Sequence, residues 1–91
     1  MSQEVESKVI VGAKQTLRLL EDGSIQEVLI ARDADSYVTR QILEVARNQS
    51  VPIQYVDSMK RLGKEYGVSI GTATVGVLKP GKVARKHRPE K

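Results

Sequence analysis

A glycine followed by a short run of basic and amide residues is the segment of this chain best suited to ligand chemistry. In Gly12-Ala13-Lys14-Gln15-Thr16-Leu17-Arg18, the glycine would open a helix, and Lys14 and Arg18, four residues apart, would share one face. The free N–H groups at a helix start attract anions. Arginine can bind guanine O6 and N7, and glutamine can pair with adenine N6 and N7. The segment therefore favours a site for phosphate and purine edges, or simply a solvated helix face.

A second basic segment follows two helix-capping residues. Asp57 and Ser58 precede a stretch in which Lys60 and Lys64 are again four residues apart, with Arg61 between them. This spacing predicts either a cationic surface or an ordinary charged helix exterior.

Two glycines, Gly67 and Gly71, enclose a short loop that contains Val68 and Ile70. Gly67 is suited to ending the preceding helix. Val68 and Ile70 either pack inward or face outward. Facing outward, they could cover an unstacked base, because RNA-binding proteins usually read bases splayed out of loops and bulges.

A pair of carboxylates, Asp33 and Asp35, raises the question of metal binding or acid/base catalysis. No third oxygen ligand and no nucleophile is placed by the sequence, so capping of the following helix is the simpler interpretation. The three tyrosines, Tyr37, Tyr55 and Tyr66, are predicted at the border of the core, with their hydroxyls at the surface.

Composition narrows the classes of function. The chain has 91 residues, which favours one small domain. It has no cysteine and a single histidine, His87, so thiolate chemistry, a cysteine zinc site and a Ser-His-Asp triad lack their central residues. No apolar run approaches the roughly 20 residues of a membrane span, and the first eight residues do not resemble a signal peptide. We expect no cofactor, no metal and no membrane association.

Charge is concentrated at the C-terminus. The whole chain carries 15 basic and 11 acidic residues, a net charge of +4, whereas residues 79–91 alone carry a net charge of +5. A basic tail on a nearly neutral body favours a polyanionic partner. The tail, residues 80–91, has little to bury and is predicted to be disordered.

Hydrophobic periodicity predicts alternating helices and strands. A helical turn around Val5 is expected to pass into a strand over residues 9–11, and strands are also expected over residues 25–31, 53–56 and 72–78. Helices are expected from Ala13 to the Asp22-Gly23 turn, from the Asp33-Ala34-Asp35-Ser36 caps to Asn48, and from Met59 to Gly67. The layer rules then predict an α/β fold, a three-layer α-β-α sandwich with a central mixed sheet of about four strands, over residues 1–79. Strand order is left open.

Four blocks of residues occur in the order and spacing of a known family: Gly12-Ala13-Lys14-Gln15-Thr16, Ile30-Ala31-Arg32-Asp33-Ala34-Asp35, Ser58-Met59-Lys60-Arg61-Leu62-Gly63 and Gly67-Val68. The chain resembles the kink-turn RNA-binding family of ribosomal proteins, which includes the archaeal box C/D core protein. It is most similar to the small bacterial members. The resemblance covers about residues 5–79.

The resemblance implies an α-β-α sandwich that binds a kink in RNA, where tandem sheared G·A pairs follow a bulge. Gly12 and Ala13 would start the helix that enters the groove at those pairs. Lys14, Gln15 and Arg18 stand where the family usually has Asn, Glu and Lys, so we expect altered base recognition, with Lys14 reaching phosphate. The remaining positions map to the loop over the bulge and to the RNA backbone: Val68, Ser69, Ile70 and Gly71 to the loop, Met59 and Lys60 to the backbone.

On this basis the sequence predicts a non-enzymatic, monomeric, cytoplasmic RNA-binding protein that stabilises kink-turns, within ribosomal or another structured RNA. One alternative is a protein–protein adaptor on ribonucleoprotein particles with only non-specific RNA affinity. Another is an enzyme that uses Asp33 and Asp35.

Overall fold

The computed structural model describes residues 6–34, 37–81 and 84–85. Three helices and a four-stranded sheet form the body, with a separate pair of two-residue strands beside them. The elements are β1 (Glu6–Ser7), β2 (Val9–Val11), α1 (Ala13–Glu21), β3 (Ile25–Ala31), α2 (Tyr37–Asn48), β4 (Ile53–Val56), α3 (Met59–Glu65), β5 (Thr74–Leu78) and β6 (Ala84–Arg85). Every helix and strand predicted from residue 9 to residue 78 is present, with ends shifted by a few residues.

The central sheet is mixed, with the strand order β2-β5-β3-β4. Strands β2 and β3 both run antiparallel to β5, which lies between them, whereas β3 and β4 run parallel to each other. The parallel pair is joined through α2, because parallel strands need a long crossover connection. Local periodicity does not encode which strands become neighbours, and the structure supplies that order.

The three layers follow from the alternation of side chains along β3, since successive residues of a strand point to opposite faces. On one face Val28 and Ile30 pack with Leu20 of α1 and Ile42 of α2. On the other face a smaller cluster joins three buried residues, Ala31, Leu62 of α3 and Val75 of β5. The predicted α-β-α sandwich is therefore confirmed.

Backbone hydrogen bonds end α1 and α3 at the turn residues that the sequence contains. After α1, the N–H of Ser24 donates to the carbonyl of Leu19 at 3.0 Å, across Gly23. After α3, the N–H of Val68 donates to the carbonyl of Gly63 at 2.7 Å, across Gly67. Both are the six-to-one bonds of a Schellman ending, so the predicted helix ends at Asp22-Gly23 and Gly67 are confirmed.

The chain termini differ from the sequence expectation. The helical turn predicted before residue 9 is wrong for Glu6–Ser7, which form a strand, while Val5 lies outside the described residues. Its partner is Ala84–Arg85, a part of the tail that was expected to be disordered. Pairing gives the backbone groups of both short segments hydrogen-bond partners, which neither segment finds alone. Residues 82–83 and 86–91 of the tail, including His87, lie outside the described residues.

Among the described residues, no helix combines the length and the apolar character needed to cross a bilayer.

Candidate nucleic-acid interface

The predicted site residues lie beside strand termini at one end of the sheet. Val11, the last residue of β2, pairs with Val75 near the start of β5, and Ala31, the last residue of β3, pairs with Val56, the last residue of β4. We call this the site end of the sheet. Helices α1 and α3 begin there, and the loop of residues 68–71 leads into β5 there.

Residues 72–74 connect the elements of the site end through their backbone. The N–H of Thr72 donates to the carbonyl of Met59 at 3.1 Å, which ties the segment to α3. The carbonyl of Ala73 accepts from Ala31 at 2.9 Å, and the carbonyl of Thr74 accepts from Gly12 at 2.9 Å. Three consecutive residues therefore hold α3, the end of β3 and the start of α1 in place.

Helix α1 begins without a side-chain cap. Its N-cap residue, Gly12, has φ 116° and ψ 141°, and no side chain accepts a hydrogen bond from the first turn, which also contains no acidic residue. A side chain at Gly12 would be strained by this positive φ, and its Cβ would lie 2.5 Å from Oε1 of Gln15. The N–H groups of residues 13–15 are therefore open to a ligand that accepts hydrogen bonds, whereas the N–H of Gly12 is bonded to Thr74.

The exposed face of α1 carries the predicted binding side chains. Lys14, Gln15 and Arg18 are exposed, whereas Thr16 and Leu20 are buried against the sheet. Lys14 and Gln15 thus flank an uncapped helix start at which Ala13 is half-buried, and Arg18 lies one turn further along, in the last turn of α1. This arrangement suits phosphates and purine edges, as the spacing of these residues suggested.

Two of the first N–H groups of helix α3 are bonded to side chains of the protein. Oγ of Ser58 accepts from the N–H of Arg61 at 3.0 Å, which confirms the predicted cap. Oδ1 of Asp33 accepts from the N–H of Met59 at 2.8 Å. Asp33 was expected to cap α2, the next helix in the chain, but the fold brings it to α3 instead.

The metal and acid/base interpretations of Asp33 and Asp35 gain no support from this geometry. Asp33 holds the start of α3, and Asp35 lies outside the described residues. The described part of the chain contains no group of three or more side chains suited to holding a metal ion.

The loop of residues 68–71 projects one apolar side chain into solvent. Ile70 is 93% exposed, Ser69 is exposed, and Val68 is half-buried. The sequence left open whether Val68 and Ile70 pack inward or face outward; Val68 packs partly inward, and Ile70 faces outward. Such a large exposed aliphatic side chain at a loop tip is suited to covering a base that has left its stack.

Gly63 fixes the position of this loop from inside α3. A Cβ at Gly63 would overlap Cα of Gly71 and would lie 2.6 Å from the carbonyl oxygen of Val68. Beside it, Met59 is 38% exposed and Lys60 is exposed. The loop can therefore pack directly on α3, because residue 63 has no side chain.

Two tyrosines differ from the predicted position at the border of the core. Tyr37 is 73% exposed, at the start of α2. Tyr55 is 49% exposed, and the guanidinium of Arg32 lies 5.3 Å from the centre of its ring. Tyr66 is half-buried against the smaller core cluster, as expected.

The structure thus places the residues predicted on α1, α3 and the loop at one end of the sheet. Sequence reasoning missed the connecting role of residues 72–74 and the spacing role of Gly63. Residues 72–74 act through backbone groups, which leave no trace in the residue types. For Gly63 a signal existed, because glycine in the middle of a helix is unfavourable unless close packing requires it.

Comparison with known proteins supports the family expectation. The model of the ribosomal protein L7Ae/L30e/S12e/Gadd45 family matches residues 2–86. An RNA-binding protein of Halalkalibacterium halodurans is 45% identical over 71 residues, which cover 78% of this chain and 87% of the relative. An RNA-binding protein of Geobacillus sp. strain WCH70 is 42% identical over 72 residues, which cover 79% of this chain and 88% of the relative.

Solved structures show the same fold. The 15.5 kD RNA-binding protein of Giardia lamblia superimposes with a TM-score of 0.70 at 25% identity, covering 81% of this chain and 62% of that one. A protein of unknown function from Bacillus halodurans superimposes with a TM-score of 0.72 at 20% identity, covering 81% of this chain and 74% of that one. The match of the family model to nearly the whole sequence confirms the resemblance, and the chain belongs to the ribosomal protein L7Ae/L30e/S12e/Gadd45 family.

Proposed function

We propose that this protein binds RNA and recognises kink-turns, in which tandem sheared G·A pairs lie next to a bulge. The observation that carries the proposal is the uncapped start of α1, with Lys14 and Gln15 exposed beside it and Arg18 exposed one turn further along the helix. The names of the bacterial relatives and of the Giardia lamblia protein, all RNA-binding proteins, support the choice of RNA as the partner.

In this proposal α1 enters the groove at the G·A pairs. Arg18 and Gln15 contact purine edges, because a guanidinium and an amide can each form paired hydrogen bonds with a base. Lys14 contacts phosphate as a point charge, close to the open N–H groups of the first turn. The loop of residues 68–71 covers the bulge, with Ile70 against an unpaired base.

The proposal also assigns a mode of action. The protein works by binding alone, without a chemical step, as a cytoplasmic monomer attached to ribosomal or another structured RNA. The basic tail adds phosphate contacts that do not depend on sequence.

A mobility-shift titration tests the proposal. Two RNAs of equal length are compared, one with a kink-turn and one in which Watson–Crick pairs replace the G·A pairs. We expect clearly tighter binding to the kink-turn RNA, because only that RNA presents the purine edges that α1 contacts. Equal affinity for both RNAs would contradict the proposal and favour an adaptor with non-specific RNA affinity.

A further inference from the structure

The outer surface of α3 carries two parallel rows of charged side chains with different electrostatic character. Leu62 and Gly63 are buried and define the inner face of the helix. Lys60 and Lys64, one turn apart, form a row that we call the basic stripe. A second row, the ion-pair stripe, contains Asp57, Arg61 and Glu65.

In the ion-pair stripe, two carboxylates neutralise the charge of Arg61. Nη1 of Arg61 lies 3.4 Å from Oδ2 of Asp57, and Nε of Arg61 lies 3.8 Å from Oε2 of Glu65. One guanidinium between two carboxylates presents no net positive charge to a polyanion. Such exposed pairs contribute little to stability, so their main effect here is on the surface potential.

The lysines of the basic stripe are not neutralised by carboxylates of the described residues. Lys60 and Lys64 are exposed, and within the described part of the chain neither makes an ion pair. Together with Ser58 and Arg61 they line a shallow open groove along α3. Two lysines four residues apart have Cβ atoms about 5–6 Å apart, close enough for both ammonium groups to contact one strand of a nucleic acid.

The two stripes extend towards different neighbours, and Arg61 borders both. A Cβ at Gly71 would lie 3.5 Å from Cα of Lys60, so the basic stripe begins beside the loop of residues 68–71. The ion-pair stripe borders β4 instead, where Asp57, Arg61 and Glu65 line a cleft with Tyr55 and Val56. The row of exposed lysines on α3 therefore starts beside the loop that we assign to the bulge.

We infer that the basic stripe is a second contact surface, which holds the phosphate backbone of the RNA strand that passes the loop. The inference rests on the proposed function, and it adds Lys64 and the direction of the strand along α3. Lysine ammonium groups contact phosphates as point charges and carry no fixed geometry for reading bases. The basic stripe therefore strengthens binding without changing sequence preference.

The salt dependence of RNA affinity tests the inference. Each phosphate contact contributes about 0.7–0.9 to the slope of log K against log salt, so Lys60→Gln with Lys64→Gln should reduce the slope by roughly 1.4–1.8. The control combines Lys8→Gln with Arg47→Gln, two exposed cations away from the site end. It removes the same charge and should leave the slope nearly unchanged. Equal slopes for the two double variants would overturn the inference.

A gain-of-charge variant tests the role of the ion-pair stripe. Asp57→Asn with Glu65→Gln frees Arg61, and we expect tighter binding and a slope that is steeper by up to about 0.9. Weaker binding, or an unchanged slope, would contradict the account of the two stripes.

Both titrations use the kink-turn RNA and the RNA with replaced G·A pairs. The Lys60 and Lys64 variant should weaken binding to both RNAs by the same factor and preserve the ratio of their affinities. If the unmodified protein binds the two RNAs with equal affinity, the proposed function is wrong. If the Lys60 and Lys64 variant keeps the salt slope of the unmodified protein, the basic stripe does not contact phosphate. The two failures are therefore distinguishable.

Discussion

Helices α1 and α3 begin at the same end of the sheet, yet their first turns are built differently. At the start of α1, Gly12 offers no side-chain acceptor, and the first turn contains no acidic residue. At the start of α3, Oγ of Ser58 and Oδ1 of Asp33 accept hydrogen bonds from backbone N–H groups. One helix start is left open, and the other is closed by the protein itself.

This difference separates two roles within one site. The first four N–H groups of a helix need partners from outside the helix, which are side chains, water or a ligand. In α3 two of those partners, Asp33 and Ser58, come from the fold, so this helix start serves stability. In α1 the N–H groups of residues 13–15 remain available, so that helix start can serve recognition. In the proposed mode of binding, helix α3 contributes only through side chains on its outer surface.

The largest expected effect tests the supporting role of α3. Gly63→Ala places a methyl group against backbone atoms of the loop, and we expect the free energy of unfolding to fall by about 2–3 kcal/mol, the upper part of the range that overpacking typically costs. Chemical denaturation measures this change. Gly67→Ala is a useful comparison, because no atom lies within 4 Å of a Cβ there and only backbone strain remains. Unchanged stability in Gly63→Ala would show that the loop does not rest on α3.

The next effect tests the recognition role of α1. Arg18→Ala should weaken binding to a kink-turn RNA by about 1–3 kcal/mol if the guanidinium contacts a base edge with two hydrogen bonds. Its stability should hardly change, because Arg18 is exposed. Arg47→Ala is the matched control, an exposed arginine at the far end of α2. If both variants lose affinity equally, α1 contributes only charge.

A smaller effect tests the closed start of α3. Ser58→Ala removes the acceptor for the N–H of Arg61, and we expect the free energy of unfolding to fall by about 1 kcal/mol, the usual value for an N-cap. Affinity for a kink-turn RNA should change less than twofold in the folded variant. A large loss of affinity with little loss of stability would mean that the start of α3 also contacts the ligand.

The smallest expected effect is on stability, from a substitution at Thr74 in strand β5. The hydroxyl of Thr74 is fully buried and has no hydrogen-bond partner among the described residues. Because an unpaired buried hydroxyl is costly, Thr74→Val should leave stability unchanged or raise it by up to about 1 kcal/mol.

Thr72→Val provides the contrast to that change. The Oγ1 of Thr72 donates to the carbonyl of Thr74 at 3.2 Å, so this variant should lose about 1 kcal/mol. Thermal unfolding of the two variants compares them directly. A loss in Thr74→Val as large as that in Thr72→Val would indicate a partner for the Thr74 hydroxyl.

Much of the fold could be predicted, because its signals are local. The helix that begins after Gly12 and the strand over residues 25–31 follow from spacing within a few residues. Helix ends were equally readable, since Gly23 and Gly67 mark them directly. Strand order was not readable, because the pairing of β5 with both β2 and β3 joins segments far apart in the sequence.

The residues of the candidate site show the same difference between local signals and contacts of distant segments. The exposed face of Lys14, Gln15 and Arg18 is a property of one helix, and the spacing predicted it correctly. Asp33 was assigned to the wrong helix, because its partner, Met59, lies 26 residues further along the chain. Contacts between distant segments depend on the tertiary arrangement, which local patterns do not contain.

A double-mutant cycle between protein and RNA tests the central claim most directly, namely that α1 recognises the G·A pairs through its exposed side chains. Affinities are measured for the unmodified protein and for Arg18→Ala, each with the kink-turn RNA and with the RNA whose G·A pairs are replaced. We expect a coupling energy of about 1–3 kcal/mol, because Arg18 gains its base contact only when the G·A pairs are present. Equal losses of affinity on both RNAs, and hence no coupling, would contradict the account.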